Sequence, residues 1–288
     1  MKLVTYLQDD RQLVGVLSAD GAAIFPLPYP DMNTLIETAS SAELLAASQT
    51  AEQSEVSVSL SNVTLCAPIP RPRQDVLCLG INYKAHADEA ERYSTATFAK
   101  EREIPIYFSK RVNEAVPPEG FIESHPGLVQ RLDYESELAV IIGKTAKGVK
   151  AADAGDYIFG YTILNDVSAR LLQTSHKQWY FGKGLDGFTP MGPCIVTKDE
   201  FAQPPAQAIR TWINGELRQD AVTDELIFGI PHIVHELSQG MTLKAGTVIA
   251  TGTPAGVGMG FDPPKFLKKG DVVTCQIVGI GTLENTVE

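Results

Sequence analysis

The sequence predicts a mixed α/β fold dominated by strands, with a small N-terminal α+β domain over residues 1–70 and a larger domain over residues 71–288. Three observations carry this reading. The run Leu138-Ala139-Val140-Ile141-Ile142 and the run Tyr157-Ile158-Phe159-Gly160-Tyr161-Thr162-Ile163-Leu164 are apolar at nearly every position, the pattern of strands covered on both faces. Short β-rich segments closed by Gly, Asp or Asn outnumber segments with helical spacing. Pro68, Pro70 and Pro72, interleaved with Arg71 and Arg73, form a stiff connector between the two parts.

The elements follow in order. Residues 3–7 and 13–17 read as short strands, with Asp20-Gly21 as a turn signal. Residues 34–47 have helical spacing, and residues 56–65 alternate again. A strand over residues 76–79 ends at Gly80, which permits a sharp turn into a short helix carrying His86. Residues 92–104 are polar and read as mobile without substrate, and side chains over residues 90–104 are expected to decide which substrate is taken. A strand is expected over residues 105–109, and Asn214-Gly215 marks a hairpin between residues 209–213 and 216–218. Ile230, Ile233, Val234 and Leu237 form one apolar helical stripe. His232 and His235 lie off that stripe and read as surface or hydrogen-bonded histidines. Residues 248–250 and 272–278 close the chain as strands, and no repeat of solenoid period is present.

Bulk properties narrow the function classes. With 288 residues, 44% hydrophobic and 20% charged, the composition is that of an ordinary globular protein. A net charge of −11 disfavours nucleic acid and anionic membranes as partners. No apolar run approaches the ~20 residues of a membrane helix, and the N-terminus lacks the apolar core of a signal peptide. Cys66, Cys78, Cys194 and Cys275 form no C-x-x-C pair and read as buried free thiols, which suits a cytoplasmic protein.

The chemistry begins with Asp133-Tyr134-Glu135-Ser136-Glu137, at the head of the doubly apolar run. Residues i and i+2 of a strand share a face, so Glu135 and Glu137 project side by side. An E-x-E pair is ordinarily a solvated strand face, but this face continues through Ala139 and Ile141. Two close carboxylates where a buried strand emerges repel each other, and a hard divalent cation relieves that repulsion. Asp166 ends the second apolar strand. Taken alone it fits the N-cap of a helix beginning at Val167; with the two glutamates it completes a triad of oxygen ligands.

Ordered motifs then resemble the fumarylacetoacetate hydrolase family. They are Leu79-Gly80-Ile81-Asn82-Tyr83-Lys84-Ala85-His86, Tyr134-Glu135-Ser136-Glu137-Leu138-Ala139, Asn165-Asp166-Val167-Ser168-Ala169-Arg170, Gly182-Lys183-Gly184 with Asp186-Gly187-Phe188, and Thr251-Gly252-Thr253-Pro254-Ala255-Gly256-Val257-Gly258. The resemblance covers the chain from about residue 75 onward. It implies the β-roll catalytic fold of that family, a homodimer, and magnesium, manganese or calcium on Glu135, Glu137 and Asp166. It also implies a catalytic dyad of His86 and Glu89, which by spacing alone would fit a surface His–Glu pair on one helical face. Lys183, between two glycines, becomes a catalytic cation. Lys110, Arg170, Gln173 and Thr253 become substrate-binding candidates, Arg170 and Gln173 lying on a helical face that leads away from the metal. Two departures from the family pattern, Leu171-Leu172 after the arginine and Arg111-Val112-Asn113 after Lys110, fall near the presumed substrate face.

The expected activity is metal-dependent hydrolysis of a C–C bond in an acylpyruvate or related 1,3-dicarbonyl 2-oxo acid, with His86 activating water. The alternative is an oxaloacetate decarboxylase or tautomerase, or a sugar-acid lyase, on the same residues. A non-catalytic binder of metal and organic acid needs neither His86 nor Lys183. Gly256-Val257-Gly258-Met259-Gly260-Phe261 lacks the last glycine of a dinucleotide fingerprint, and no phosphate-loop motif is present, so nucleotide binding is excluded.

Overall fold

The computed structural model describes residues 1–53, 56–90 and 104–288. Apart from Ile104, the polar segment over residues 92–104 lies outside them. Among the described residues the chain forms an eleven-stranded sheet, a five-stranded sheet and a two-stranded ribbon, with few helices. Strands dominate, as the sequence predicts.

In the large sheet, Ser136–Ile142 is flanked by Ile158–Asn165 and Val248–Ala250, both antiparallel to it. Beyond Val248–Ala250 come Val76–Gly80, paired in parallel, and then Ile106–Lys110. On the other side Ile158–Asn165 pairs with Met191–Thr197, which pairs with Lys2–Gln8, the first strand of the chain. The N-terminal strands Arg11–Leu17, Ala23–Pro26 and Val58–Ser59 continue outward from there.

All seven residues of Ser136–Ile142 are buried, and alternate residues serve two cores. Leu138, Val140 and Ile142 pack with Ile209, Ile213, Val273 and Ile277 of the five-stranded sheet. Ala139 and Ile141 share a core with Leu35, Ile36 and Leu44 of the N-terminal helices. The strand therefore reads as apolar on both faces because a sheet covers one and helices cover the other. The hairpin at Asn214-Gly215 forms with φ of 51° and 82°, the left-handed pair a tight two-residue turn requires. The Ile230–Gly240 helix buries the expected stripe, and His235 Nδ1 is bonded to Val149 O at 2.7 Å.

Three elements depart from expectation. The helical spacing over residues 34–47 resolves into two helices, Met32–Thr38 and Ser41–Gln53. A capping box starts the second: Ser40 Oγ accepts from Glu43 N, and the Glu43 carboxylate accepts from Ser40 N. The alternation over residues 56–65 is broken by a 3₁₀ turn, Leu60–Asn62. The helix expected from Val167 begins at Arg170, because Ser168–Ala169 first pairs with Leu132–Asp133. Asp166 is thus no N-cap. Among the described residues, no helix is long and apolar enough to cross a membrane.

Candidate active site

Strand register assembles the carboxylates. Ser136 pairs with Asn165 and Glu137 with Leu164, so Asp166 follows its strand to the side of Glu135. The backbone closes this junction: Asp166 N donates to Glu135 O at 2.8 Å, and Glu135 N donates to Asn165 Oδ1 at 3.0 Å. One oxygen from each of Glu135, Glu137 and Asp166 lies within 4.8 Å of the others, and all three side chains are buried.

Buried cations face them. Lys183 Nζ donates to Glu135 Oε2 and to Asp166 Oδ2, at 2.7 Å each. Lys110 Nζ donates to Asp166 Oδ1 at 2.5 Å and to Val167 O at 3.1 Å. Arg170 pairs through Nη1 with Glu135 Oε1 at 2.5 Å and through Nε with Asp133 Oδ2 at 2.8 Å. Glu137 receives Gly252 N at 2.7 Å.

The balance of these charges sets the protonation tendencies. Burial pushes the Glu135 carboxyl up, but the Lys183 ammonium and the Arg170 guanidinium outweigh it and hold the group far below the usual carboxylate range. Burial also pushes the Lys183 ammonium toward neutrality, and Asp166 and Glu135 reverse that, leaving its pKa raised. Glu137 goes the other way: burial, then repulsion from Asp166 and Glu135, drives its pKa well up. A buried carboxyl that resists ionisation beside two carboxylates is what a bound divalent cation would relieve. The all-oxygen donor set of Glu135, Glu137 and Asp166 fits magnesium, manganese or calcium.

A cavity of about 130 Å³ opens over this cluster. His86, Glu135, Arg170, Gln173, Lys183 and Thr253 supply polar lining; Leu79, Ile81, Phe108, Trp179 and Met259 supply apolar lining. His86 sits on the Lys84–Ala90 helix, 5% exposed, with Nδ1 2.9 Å from Glu89 Oε2. That helix is anchored by Asn82, whose side chain donates to Thr251 O and Phe228 O and accepts from Phe228 N. The other Glu89 oxygen, Oε1, accepts from Gly256 N at 3.0 Å. The glycine run that superficially resembles a nucleotide loop has a packing role here. A Cβ at Gly260 would lie 1.9 Å from Glu89 Oε1, and one at Gly258 would lie 2.5 Å from Asp133 Oδ1.

The sequence-derived residues thus converge, with two adjustments. Arg170 does not lead away from the triad; its guanidinium grips Glu135. Lys110 is fully buried on Asp166 and is not part of the described cavity lining. Gln173 Oε1 accepts from Arg170 Nη1 at 3.2 Å. Thr253 Oγ1 donates to Ser136 O and accepts from Gln219 Nε2, at 2.9 and 2.8 Å. Sequence reasoning missed Asp133, Asn82, Gln219 and Trp179. For Asp133 a signal existed: it is the first member of the same-face alternation Asp133, Glu135, Glu137.

The fumarylacetoacetate (FAA) hydrolase C-terminal family model matches residues 75–288. The chain belongs to the fumarylacetoacetate hydrolase family, a family of enzymes. It is 46% identical over 229 residues to oxaloacetate tautomerase YisK of Bacillus subtilis, covering 80% of this chain and 74% of that one. Among solved structures it resembles the fumarylacetoacetate hydrolase of psychrophilic Exiguobacterium antarcticum, with TM-score 0.83 and 39% identity over 100% and 99% of the two chains. It also resembles maleylpyruvate hydrolase from Sphingobium sp. SYK-6 in complex with manganese(II) ion and pyruvate, with TM-score 0.78 and 29% identity over 100% and 98%.

Proposed function

We propose that the protein interconverts the enol and keto forms of a short 2-oxo dicarboxylic acid, oxaloacetate foremost. The observation that carries this reading is His86, held 2.9 Å from Glu89 and lining the same cavity as Glu135 and Lys183. Enol–keto exchange moves one proton to or from the carbon beside a carbonyl. With Nδ1 held by Glu89, the imidazole keeps one orientation and Nε2 is the atom that exchanges that proton. The Lys183 ammonium balances negative charge developing on the substrate oxygen. A divalent cation held by Glu135, Glu137 and Asp166 would supply polarisation of the 2-oxo carbonyl. Likeness to a named oxaloacetate tautomerase supports the choice of substrate.

Hydrolysis of an acylpyruvate is the second reading. The apolar lining of Leu79, Phe108, Trp179 and Met259 favours it, since such a wall suits an acyl tail better than a second carboxylate. The same dyad would then take its proton from water. Decarboxylation of oxaloacetate would draw on the same charge balance without an attacking water. The whole reading takes the protein as a cytoplasmic homodimer, which light scattering after size exclusion would check for assembly.

The experiment supplies magnesium or manganese and follows three signals in parallel: decay of enol-oxaloacetate absorbance, release of carbon dioxide with pyruvate, and cleavage of acetylpyruvate. Enol decay well above the buffer rate, lost in His86→Ala, is the expected result. Cleavage of acetylpyruvate with no effect on enol decay would replace the first reading by the second.

A further inference from the structure

Asp133 is fully buried and accepts four hydrogen bonds. Oδ1 takes Tyr134 N at 3.0 Å and Gly258 N at 2.7 Å. Oδ2 takes Met259 N at 3.0 Å and Arg170 Nε at 2.8 Å. Three of these donors are backbone amides, so the carboxylate is fixed before Arg170 meets it. The planar guanidinium then has one edge on Asp133 and presents Nη1 to Glu135 Oε1 at 2.5 Å. That contact orients Glu135 so that its other oxygen, Oε2, is the one beside Lys183 and Asp166.

We infer that Asp133 is a positioning residue for the cation site, acting through Arg170 to hold the Glu135 carboxylate in its ligating orientation. The inference rests on reading the triad as a divalent-cation site and is independent of which 2-oxo acid is turned over. The geometry also says why the amide is a poor substitute. Each Asp133 oxygen faces two N–H donors, so one orientation of an Asn side chain sets its NH₂ against Met259 N and Arg170 Nε, and the other sets it against Tyr134 N and Gly258 N. The first repels Arg170 directly and the second unseats the side chain that anchors it; either loosens the hold of Arg170 on Glu135.

The test is a double-mutant cycle read by Mn²⁺ affinity, from the free Mn²⁺ signal in electron paramagnetic resonance, with no substrate present. Thermal unfolding checks each variant for folding. Asp133→Asn and Arg170→Met should each weaken Mn²⁺ binding about 10-fold, the scale expected when a partner that orients a ligand is lost. In the double variant, Asp133→Asn should add less than about twofold to the Arg170→Met effect. Plain loss of a nearby negative charge predicts the same factor in both backgrounds. Equal factors, or wild-type affinity in Asp133→Asn, would overturn the inference. Should either variant fail to fold, Arg170→Lys keeps the charge but cannot span Asp133 and Glu135 at once. It should bind Mn²⁺ about 10-fold more weakly, and wild-type affinity there would likewise overturn the inference. A wild-type protein that binds no Mn²⁺ removes the cation reading itself, a failure distinct from any pattern among the variants.

Discussion

Lys183 holds Asp166 by Oδ2 at 2.7 Å, and the opposite oxygen of the same carboxylate is held by Lys110 at 2.5 Å. Both lysines and the aspartate are buried, so this arrangement is a closed charge cluster and not a solvated contact. Removing one partner of a buried ion pair leaves an uncompensated charge, at a cost of about 3–5 kcal/mol. Lys110→Met should therefore lower unfolding stability on that scale, measured by urea titration. Unchanged stability with a raised KM would return Lys110 to the role of a substrate contact.

The dyad carries the proton. His86→Ala and Glu89→Gln should each lower kcat about 10²-fold or more, the scale of a positioned general base. Glu89→Gln keeps an acceptor for Gly256 N, so its melting temperature should stay close to wild type. If both variants turned over normally, the proton would have to move through another group.

Metal removal should abolish turnover, and magnesium or manganese should restore it. Glu137→Gln removes a ligand whose charge the unfilled site disfavours. Its apo form should be about as stable as wild type, because the amide matches the neutral carboxyl in shape and its oxygen still accepts from Gly252 N, while Mn²⁺ binding should fall sharply. An apo form markedly less stable than wild type would contradict this account of the cluster.

Thiol reactivity gives a pH test far from the site. Burial pushes the thiols of Cys194 up to about 11 and Cys275 up to about 12, and that of Cys78 well above the ordinary value. Since only thiolate reacts, a raised pKa means slow reaction at pH 8, where an unfolded cysteine with pKa near ~8.5 is substantially ionised. Cys66, half-buried, should be the first to react with Ellman's reagent in the native protein. The other three should follow only on unfolding; prompt labelling of all four would mean that these strands open readily.

Gln219 ties the five-stranded sheet to the site. Its carbonyl accepts from Thr211 Oγ1 and Ser136 N, and its amide donates to Thr253 Oγ1 and Pro254 O. Gln219→Leu leaves several buried polar groups without partners and should destabilise by about 3 kcal/mol or more, given ~1–3 kcal/mol per unsatisfied group. A midpoint in urea equal to that of wild type would show that the network reorganises freely.

What was legible in the sequence was local or periodic. The doubly apolar strands, the same-face glutamates, the Asn-Gly hairpin and the stripe of Ile230, Ile233, Val234 and Leu237 follow from side-chain direction in strands and helices. The grip of Lys110 on Asp166 was not legible, because 56 residues separate them and their strands are not neighbours in the sheet. Nor was the turn of Arg170 back onto Glu135. It depends on the two-residue pairing of Ser168–Ala169 with Leu132–Asp133, which delays the helix and re-aims its first side chain. The break at Ser40 was written in a capping box, Ser40 with Glu43, but a longer apolar period over the same residues masked it.

The pairing of Lys2–Gln8 with Met191–Thr197 has a practical corollary for anyone shortening the chain. Leu3, Val4 and Tyr6 are fully buried, and the register Lys2↔Val196 and Leu3↔Ile195 joins Met191–Thr197 to the N-terminal strands that continue the large sheet. A fragment trimmed to the span of the family match would lose that selvage. It would keep every site residue and yet expose main-chain donors and acceptors of the largely buried strand Met191–Thr197, the kind of margin that recruits a second copy of itself. The N-terminal strands together therefore act as a hem: remote from the chemistry, they keep the sheet that bears the carboxylates from fraying into aggregates.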